Sequence, residues 1–173
     1  ELIPLTVRKL PVVKYFDRVG KLLPNDVDAD QIDYSVYDIS IKPGILFQPH
    51  PAFAKNESGN GMYHDLSAQA LATIFKLTDF PQTATRELIA EDYIYQIKRL
   101  AHPKLHSPIY ELMADYILGL RDYAKVLSQA QQIQPDQQTY LDLREYALEG
   151  VELIDRYTYR ITIKGKYPQF IYW

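Results

Sequence analysis

The chain has 173 residues, of which 47% are hydrophobic and 24% are charged. This composition is typical of a globular protein with a packed core, and it excludes disordered, collagen-like and low-complexity chains. The 19 basic and 22 acidic residues give a formal net charge of −3, which supplies no positive field to bind nucleic acid or an anionic bilayer. The absence of cysteine excludes disulfides, thiolate metal sites and cysteine nucleophiles.

The hydropathy pattern and the chain ends give two further expectations. No apolar run approaches the roughly 18 residues that a spanning helix needs, so we predict no membrane span in this segment. Glu1 is not an initiator residue, and residues 167–173 form an aromatic cluster, whereas natural chain ends are usually polar and loose. We therefore expect a single subdomain excised from a longer protein.

The first elements are strands. Residues 14–23 form two partly apolar arms around Gly20, a pattern that predicts a small hairpin in which the glycine supplies the turn. Residues 32–41 alternate β-branched or aromatic residues with polar ones, which indicates a strand. Pro43 and Gly44 then predict the turn that ends it.

The next part of the chain is predicted to be a loop followed by a short helix. Residues 45–64 are rich in proline, glycine and short polar residues, and we expect an exposed excursion there. Apolar residues at near-helical spacing in residues 66–74 then predict a short helix of about three turns. Asp65 and Ser67 are both possible caps for that helix.

Helices dominate the second half of the chain. Residues 90–101 carry the strongest pattern, an apolar stripe with acidic residues in the first turn and basic residues in the last. A second helical region over 109–130 contains Gly119, which weakens its middle and could divide it. We also predict a short helix over 137–148, with Asp136 as its cap and Gly150 as its stop.

The last element predicted is a β-hairpin over residues 151–164. Its second arm alternates Tyr157, Tyr159 and Ile161 with polar residues, the pattern of a half-buried strand. Strands followed by helices and then strands again predict an α+β fold, with a small mixed or antiparallel sheet and packed helices.

An acidic loop between the first hairpin and the next strand begins like a calcium-binding loop. Asp26, Asp28 and Asp30 place carboxylates at alternating positions, as Ca²⁺-binding loops do. However, Gln31 stands where the sharp turn needs glycine, and Tyr37 stands where a bidentate glutamate is needed. We favour a solvated loop over a calcium site.

The four histidines are the only other candidates for a metal site. His102 and His106 have the i, i+4 spacing that places two imidazoles on one helix face for zinc, but Pro103 interrupts the helix between them. His50 and His64 lie in a loop region and could complete such a site only through the fold. We favour a helix-ending His102 and solvated loop histidines, and we predict no metal and no cofactor.

No motif of a known catalytic centre appears in the chain. Glu91 and Asp92 are adjacent, so on a helix they point about 100° apart and cannot share one substrate bond; we assign them to helix-end electrostatics. Residues 56–58 match a glycosylation acceptor, which matters only in a eukaryotic secretory protein. We therefore predict no catalytic residues and no enzyme activity.

Three sequence blocks in chain order resemble one protein family. They are residues 37–45 (YDISIKPGI), residues 90–100 (AEDYIYQIKRL) and residues 158–163 (TYRITI). The first is similar to a strand that ends in a Lys-x-Gly turn, the second to a helix that ends in Lys-Arg-Leu, and the third to a later strand. Over residues 34–172 the chain resembles the extracellular solute-binding proteins of family five, the peptide and nickel class that serves ABC importers.

The resemblance implies a two-lobed, hinge-closing receptor with a type II periplasmic-binding-protein fold. This chain would be the extra subdomain of the first lobe, and a peptide or similar solute would be held mainly by lobes outside it. The resemblance further implies an ABC importer permease as partner and a periplasmic or lipid-anchored location, with a signal peptide upstream of Glu1. The protein would bind and deliver its solute without catalysis.

The resemblance also implies a small set of ligand contacts. In oligopeptide-binding relatives a Ser-Pro-Tyr stretch after the strong helix reaches the rim of the binding cleft. The corresponding residues here are Ser107, Pro108, Ile109 and Tyr110, with Ile109 in the place of the aromatic residue. We expect these four residues to contact the solute; the alternative is that Ile109 and Tyr110 only begin a packed helix.

The chain departs from the family pattern in two places. Residues 48–88 form an insertion where the family has a short connection, so the surface beside the turn must differ. Ile89 stands where the family has a threonine N-cap, which loses about 1 kcal/mol unless another group serves as the cap. The alternative function that the composition leaves open is a stand-alone interaction module, which would use a surface rich in the 15 tyrosines to bind a protein partner.

Overall fold

The computed structural model describes residues 4–133 and 140–172. The strands are β1 (Val12–Phe16), β2 (Leu22–Leu23), β3 (Tyr34–Ser40), β4 (Val151–Asp155) and β5 (Thr158–Lys164). The α-helices are α1 (Ala68–Leu71), α2 (Ala90–Leu100), α3 (Tyr110–Tyr116) and α4 (Leu120–Ile133). The fold is therefore α+β, as the order of sequence patterns predicts.

The described residues divide into two compact units. The first, here called the sheet unit, contains the described residues up to Lys42 and those from Ile89 onward, and it holds all five strands and helices α2, α3 and α4. The second, here called the loop unit, is Pro43–Leu88 and holds α1. The loop unit contains residues 48–88, the segment that the sequence analysis interprets as an insertion.

The sheet unit is built on one antiparallel sheet with strand order β2-β1-β3-β5-β4. The hairpins predicted from the sequence are present at its two edges, β1 with β2 and β4 with β5. Gly20 has φ +80° in the first hairpin, and Gly44 has φ +81° in the turn after β3, so both occupy the left-handed region where glycine is favoured. The two central strands, β3 and β5, pair along seven residues each.

One side of the sheet is buried and the other is partly open. Side chains alternate between the two sides because successive residues of a strand point in opposite directions. The buried side of the central strands is formed by Ser35, Tyr37, Ile39, Tyr159, Ile161 and Ile163. Helices α2 and α3 pack against the sheet, and α4 packs against α3. Ile94 and Ile97 from α2, Leu120 from α4 and Ile117 from the connection between α3 and α4 are also buried in the core.

The partly open side of the sheet carries a row of alternating charges across four strands. The guanidinium of Arg160 on β5 donates to both carboxylate oxygens of Asp38 on β3, at 2.7 and 3.2 Å. Lys14 on β1 and Glu152 on β4 extend the row, with N···O distances of 3.4 Å to Asp38 and 3.2 Å to Arg160. Cross-strand pairs of opposite charge stabilise such a surface.

The residue before helix α2, Ile89, has no polar side chain to cap the helix, and other groups bond to the N–H groups at its start. The N–H of Ile89 donates to Oδ2 of Asp92 at 2.9 Å, and the N–H of Ala90 donates to the carbonyl oxygen of Arg156 at 2.9 Å. The carboxylate and the hairpin carbonyl thus satisfy N–H groups that lie outside the helical ladder. Asp92 and the β4–β5 turn therefore satisfy the first donors of a helix whose N-cap, Ile89, has no polar side chain.

The predicted helical region over 109–130 is two helices. Helix α3 ends at Tyr116, α4 begins at Leu120, and Gly119 between them has φ +73°. The glycine therefore divides the region, as the sequence analysis expects. The break also lets the N–H of Leu118 donate to the carbonyl of Thr162 on β5 at 3.1 Å.

Two helix predictions are wrong in length or type. The predicted cap Asp136 and residues 137–139 lie outside the described residues, and the described remainder of 137–148 contains a 3-10 turn, Leu143–Glu145, instead of an α-helix. The carbonyls of Leu143 and Tyr146 are turned toward the buried Nζ of Lys98, which donates to both at 3.2 and 2.7 Å. In this segment the two carbonyls therefore accept hydrogen bonds from a distant side chain, whereas in an α-helix they would accept from N–H groups four residues later.

Helix α1 covers one turn instead of the predicted three. Oγ of Ser67 accepts from the N–H of Ala70 at 3.1 Å, so Ser67 is the cap. Beyond the helix, the carboxylate of Asp79 accepts from the N–H groups of Phe75 and Lys76 at 3.0 and 3.1 Å. A side chain that captures these donors competes with the helical ladder, and the helix ends early.

The loop unit is held by short pairings between its first and last segments. The N–H of Phe47 donates to the carbonyl of Arg86 at 3.0 Å, and His50 and Ala84 exchange bonds of 2.9 and 3.3 Å. The guanidinium of Arg86 lies 4.8 Å from the ring centroid of Phe47 and 5.3 Å from that of Phe53. The excursion predicted for 45–64 therefore has a packed interior as well as an exposed loop.

Candidate functional site

A cleft of about 210 Å³ lies where the end of α2 meets α3 and α4. Its walls are formed by Leu100, Ala101, His102, Pro103, His106, Ser107, Tyr110, Ala124 and Ser128, and we call it the histidine cleft. Two of the four predicted ligand contacts, Ser107 and Tyr110, belong to these walls. The other two, Pro108 and Ile109, lie outside them on the surface, where Ile109 is 49% exposed.

The sequence that follows α2 shapes this cleft. Pro103 cannot continue the helix, and Nδ1 of His102 accepts from the N–H of Lys104 at 3.2 Å. His106 has φ +46°, an uncommon conformation for a residue with a side chain. The N–H of Tyr110, the first residue of α3, then donates to the carbonyl of Ser107 at 3.2 Å.

Two aromatic groups of the cleft, His102 and Tyr110, have pKa values shifted toward their neutral forms. Burial lowers the pKa of His102, and the positive charges of Lys104 and Arg99 lower it further. Burial raises the pKa of the Tyr110 phenol, as does the nearby carboxylate of Glu111. Near neutral pH the cleft therefore offers a neutral imidazole and a neutral phenol, which can hydrogen-bond to a polar ligand beside apolar walls.

The other histidines lie in the loop unit. His50 and His64 both line an apolar cavity of about 280 Å³, together with Met62, Tyr63 and Phe80 among other residues. Nδ1 of His50 accepts from the N–H of Ala52 at 3.1 Å. Throughout residues 4–133 and 140–172, no cluster of three or more His, Asp or Glu side chains is arranged to hold a metal ion.

The other residues that the sequence analysis considered are the acidic loop, the Glu91–Asp92 pair and the glycosylation acceptor at Asn56. Asp26, Asp28 and Asp30 are exposed on the segment that runs into the 3-10 turn Ala29–Gln31. Glu91 is exposed, while its neighbour Asp92 caps α2 as described above. The Asn56 side chain accepts from the N–H groups of residues 58 and 60, both at 3.0 Å, within an exposed turn.

Sequence reasoning missed the burial of Lys98. This residue is 8% exposed, and its Nζ lies 5.9 Å from the ring centroid of Tyr123 and donates to two backbone carbonyls. Burial lowers its pKa, and the nearby carboxylates of Glu91 and Asp142 oppose that shift. The signal was present in the sequence, because Lys98 is four residues after the buried Ile94 and so lies on the apolar stripe.

The tyrosines do not form an exposed recognition surface. All of them except Tyr140 and Tyr172 are buried or half-buried. Several pack in pairs, such as Tyr93 with Tyr159 at 5.2 Å between ring centroids and Tyr116 with Tyr167 at 4.2 Å. Most of the tyrosine side chains therefore contribute to packing.

Comparison with known proteins found no match among protein families, curated proteins or solved structures. Among the described residues, no helix has both the length and the apolar character needed to cross a bilayer. Any function assigned to the chain must therefore rest on its sequence motifs and on the geometry of its clefts.

Proposed function

We propose that this chain is the extra subdomain of the first lobe of a solute-binding protein of family five. In this role it belongs to a receptor that captures a peptide or a similar solute and delivers it to an ABC importer permease. The receptor is periplasmic or lipid-anchored, and it acts by closing its lobes around the ligand. It performs no covalent chemistry.

One observation supports this proposal: the regular elements within the three blocks that resemble the family all belong to the sheet unit, although residues 43–45 of the first block belong to the loop unit. The first block supplies residues 37–40 of β3 and the third supplies residues 158–163 of β5, and these two strands pair along their full lengths. The second block is α2, which packs against β4 and β5. A bond of 2.9 Å from Ala90 to Arg156 fastens the start of α2 to the hairpin of β5. Residues far apart in the sequence thus form one framework.

The histidine cleft is the part of the subdomain that we assign to the solute. Ser107 offers a hydroxyl and Tyr110 a phenol at its wall, and both are neutral groups that can donate to a peptide carbonyl. The cleft volume of about 210 Å³ is below the several hundred Å³ typical of a complete ligand pocket. The cleft therefore contributes rim contacts, and the main pocket belongs to the lobes outside this chain.

Small-angle scattering on the full-length protein tests the proposal. We use trialanine and an equimolar tripeptide mixture as probes, and we expect the radius of gyration to fall when a probe binds, because hinge closure compacts two lobes. The isolated 173-residue chain should show no thermal shift with the same probes, since most of the pocket is absent from it. A full-length protein that binds no peptide, or a gene that encodes no export signal, contradicts the assignment.

Two variants of the full-length protein test the role of the cleft. Tyr110→Phe removes one polar contact, which we expect to weaken probe binding about fivefold, since a hydrogen bond contributes about 1 kcal/mol net. Leu112→Ala is the matched control, because this residue is also on α3 but is 46% exposed and lies outside the cleft. Equal affinity of the wild type and both variants removes the cleft from the binding site.

A further inference from the structure

The loop unit contains an Asn-Gly pair at the end of a tight exposed turn. Lys55 and Gly61 form an isolated antiparallel bridge. The two backbone bonds that flank this bridge run from Asn56 to the carbonyl of Asn60 and from Met62 to the carbonyl of Ala54, each at 2.9 Å. The N–H of Gly61 therefore takes no part in the bridge, and it donates no hydrogen bond within the described structure.

The two asparagines of this turn differ in how their side chains are held. Oδ1 of Asn56 accepts from the N–H groups of Ser58 and Asn60, both at 3.0 Å. The side-chain amide of Asn60 makes no hydrogen bond to any described residue, and Asn60 is exposed. The Asn56 side chain is thus fixed by the turn, whereas the exposed side chain of Asn60 has no such bond.

The residues that follow the two asparagines increase this difference. Asn60 is followed by Gly61 and Asn56 by Glu57. Glycine has no side chain to shield its own nitrogen, and it allows the backbone a wide range of conformations. A backbone nitrogen can therefore approach the neighbouring side-chain carbon more readily at Asn60 than at Asn56.

We propose that Asn60 is a site of spontaneous deamidation in the folded protein. The Gly61 nitrogen loses its proton to hydroxide or a buffer base and attacks Cγ of Asn60. A new N–C bond forms, the bond from Cγ to the side-chain nitrogen breaks, and ammonia leaves with a proton from solvent. Water then opens the cyclic imide at either carbonyl and gives aspartate or isoaspartate. No oxidant, metal or enzyme takes part.

The modification changes the wall of a cavity as well as the charge of the loop. Each event adds one negative charge, and the isoaspartate product lengthens the main chain by one carbon between Asn60 and Gly61. Such a chain cannot keep the register of the Lys55 bridge. Gly61 also lines the apolar cavity of the loop unit with Tyr63 and His64, so the lengthened backbone displaces that wall.

Peptide mapping measures the reaction at both asparagines at once. Trypsin cleavage after Lys55 and Lys76 releases one peptide that holds Asn56 and Asn60 together, and its fragment ions separate them. The whole chain is kept at mildly alkaline pH and sampled over weeks. We expect the mass gain of amide-to-acid conversion at Asn60, accompanied by isoaspartate, with Asn56 unchanged. The Asn60→Gln variant should give an unmodified peptide.

A parallel incubation in urea isolates the effect of the fold. Because the folded turn leaves the Asn60 side chain and the Gly61 N–H without hydrogen bonds to described residues, the folded rate at Asn60 should stay within about tenfold of the unfolded rate, a barrier difference of no more than about 1.4 kcal/mol. A folded rate more than tenfold slower than the unfolded rate overturns the proposal, and so does modification of Asn56 at the rate of Asn60.

Discussion

Gly150 stands where the chain before β4 passes closest to the chain between α3 and α4. A Cβ atom added there would lie 2.4 Å from the carbonyl oxygen of Leu118 and 3.0 Å from Cγ2 of Ile117. Neither group can move freely. The N–H of Leu118 donates to the carbonyl of Thr162 at 3.1 Å, and the N–H of Thr162 donates to the carbonyl of Gly150 at 2.9 Å. Ile117 is fully buried. Gly150→Ala therefore forces two backbones apart at a point where both are hydrogen-bonded to β5.

The expected loss of stability follows from these contacts. Relief of the overlap costs about 1 to 3 kcal/mol, as overpacking does elsewhere. Weakening the two bonds to Thr162 adds about 1 kcal/mol, and the smaller entropy of the unfolded alanine chain returns about 0.5 kcal/mol. We expect Gly150→Ala to lower the free energy of unfolding by about 1.5 to 3.5 kcal/mol. For a chain of this size that is a fall of about 3 to 14 °C in Tm.

Urea and thermal unfolding followed by circular dichroism measure this loss, and Gly20→Ala is the matched control. Gly20 lies in the same unit, has φ +80°, and has no atom within 4 Å of the added Cβ. Alanine there carries only the cost of the left-handed conformation, about 1 kcal/mol. If Gly150→Ala is no more destabilising than Gly20→Ala, the close approach to Leu118 does not constrain the fold and the reasoning is refuted.

Three other substitutions have expected outcomes in the same urea assay. Lys98→Met removes the charged donor of two inward carbonyls, of which that of Leu143 still accepts from the Tyr123 hydroxyl at 3.2 Å, and it should cost about 2 kcal/mol. Gln96→Met on the exposed side of α2 should change little. Arg160 lowers the pKa of Asp38 from 3.8, so the stability that the ionised Asp38 contributes is present above pH 3.8 and is lost as the pH falls below it. Asp38→Asn should therefore lower the free energy of unfolding by about 1 kcal/mol at neutral pH and make stability less dependent on pH in the acid range. Burial raises the pKa of Tyr37 from 10.0 to about 12, so wild-type stability should fall as pH rises from 10 to 12, and Tyr37→Phe should fall less. A neutral effect of Lys98→Met, or unchanged pH profiles in the other two variants, contradicts the contacts assigned to these side chains.

The elements that the sequence predicted well are those with a local cause. Helix α2 has an apolar stripe, acidic residues in its first turn and Pro103 after its end, and each of these signals acts within a few residues. The β4–β5 hairpin likewise follows from the alternation of its second arm, and Gly119 marks the break between α3 and α4. A local pattern is enough to predict an element when the residues that decide its conformation lie within the element or next to it.

The elements that the sequence did not predict are decided by distant partners. The segment around Leu143 lacks an α-helix because its carbonyls bond to Lys98, which is 45 positions away. In the candidate site, the walls contributed by α4 depend on the packing of α4 against α3, which no motif records. Sequence reasoning named Ser107 and Tyr110 through a family resemblance, whereas their neighbours Ala124 and Ser128 could be found only in the folded chain.

The pairing of β3 with β5 has a consequence for how the protein is made. Arg160 and Asp38 meet across these strands although 122 positions separate them, and closing so long a loop must precede any gain from the contact. A nascent chain emerging from the ribosome exposes β3 with one edge vacant until its last strand is synthesised. Sheets completed by such distant partners fold slowly, and during that interval the vacant edge is a substrate for chaperones or for self-association.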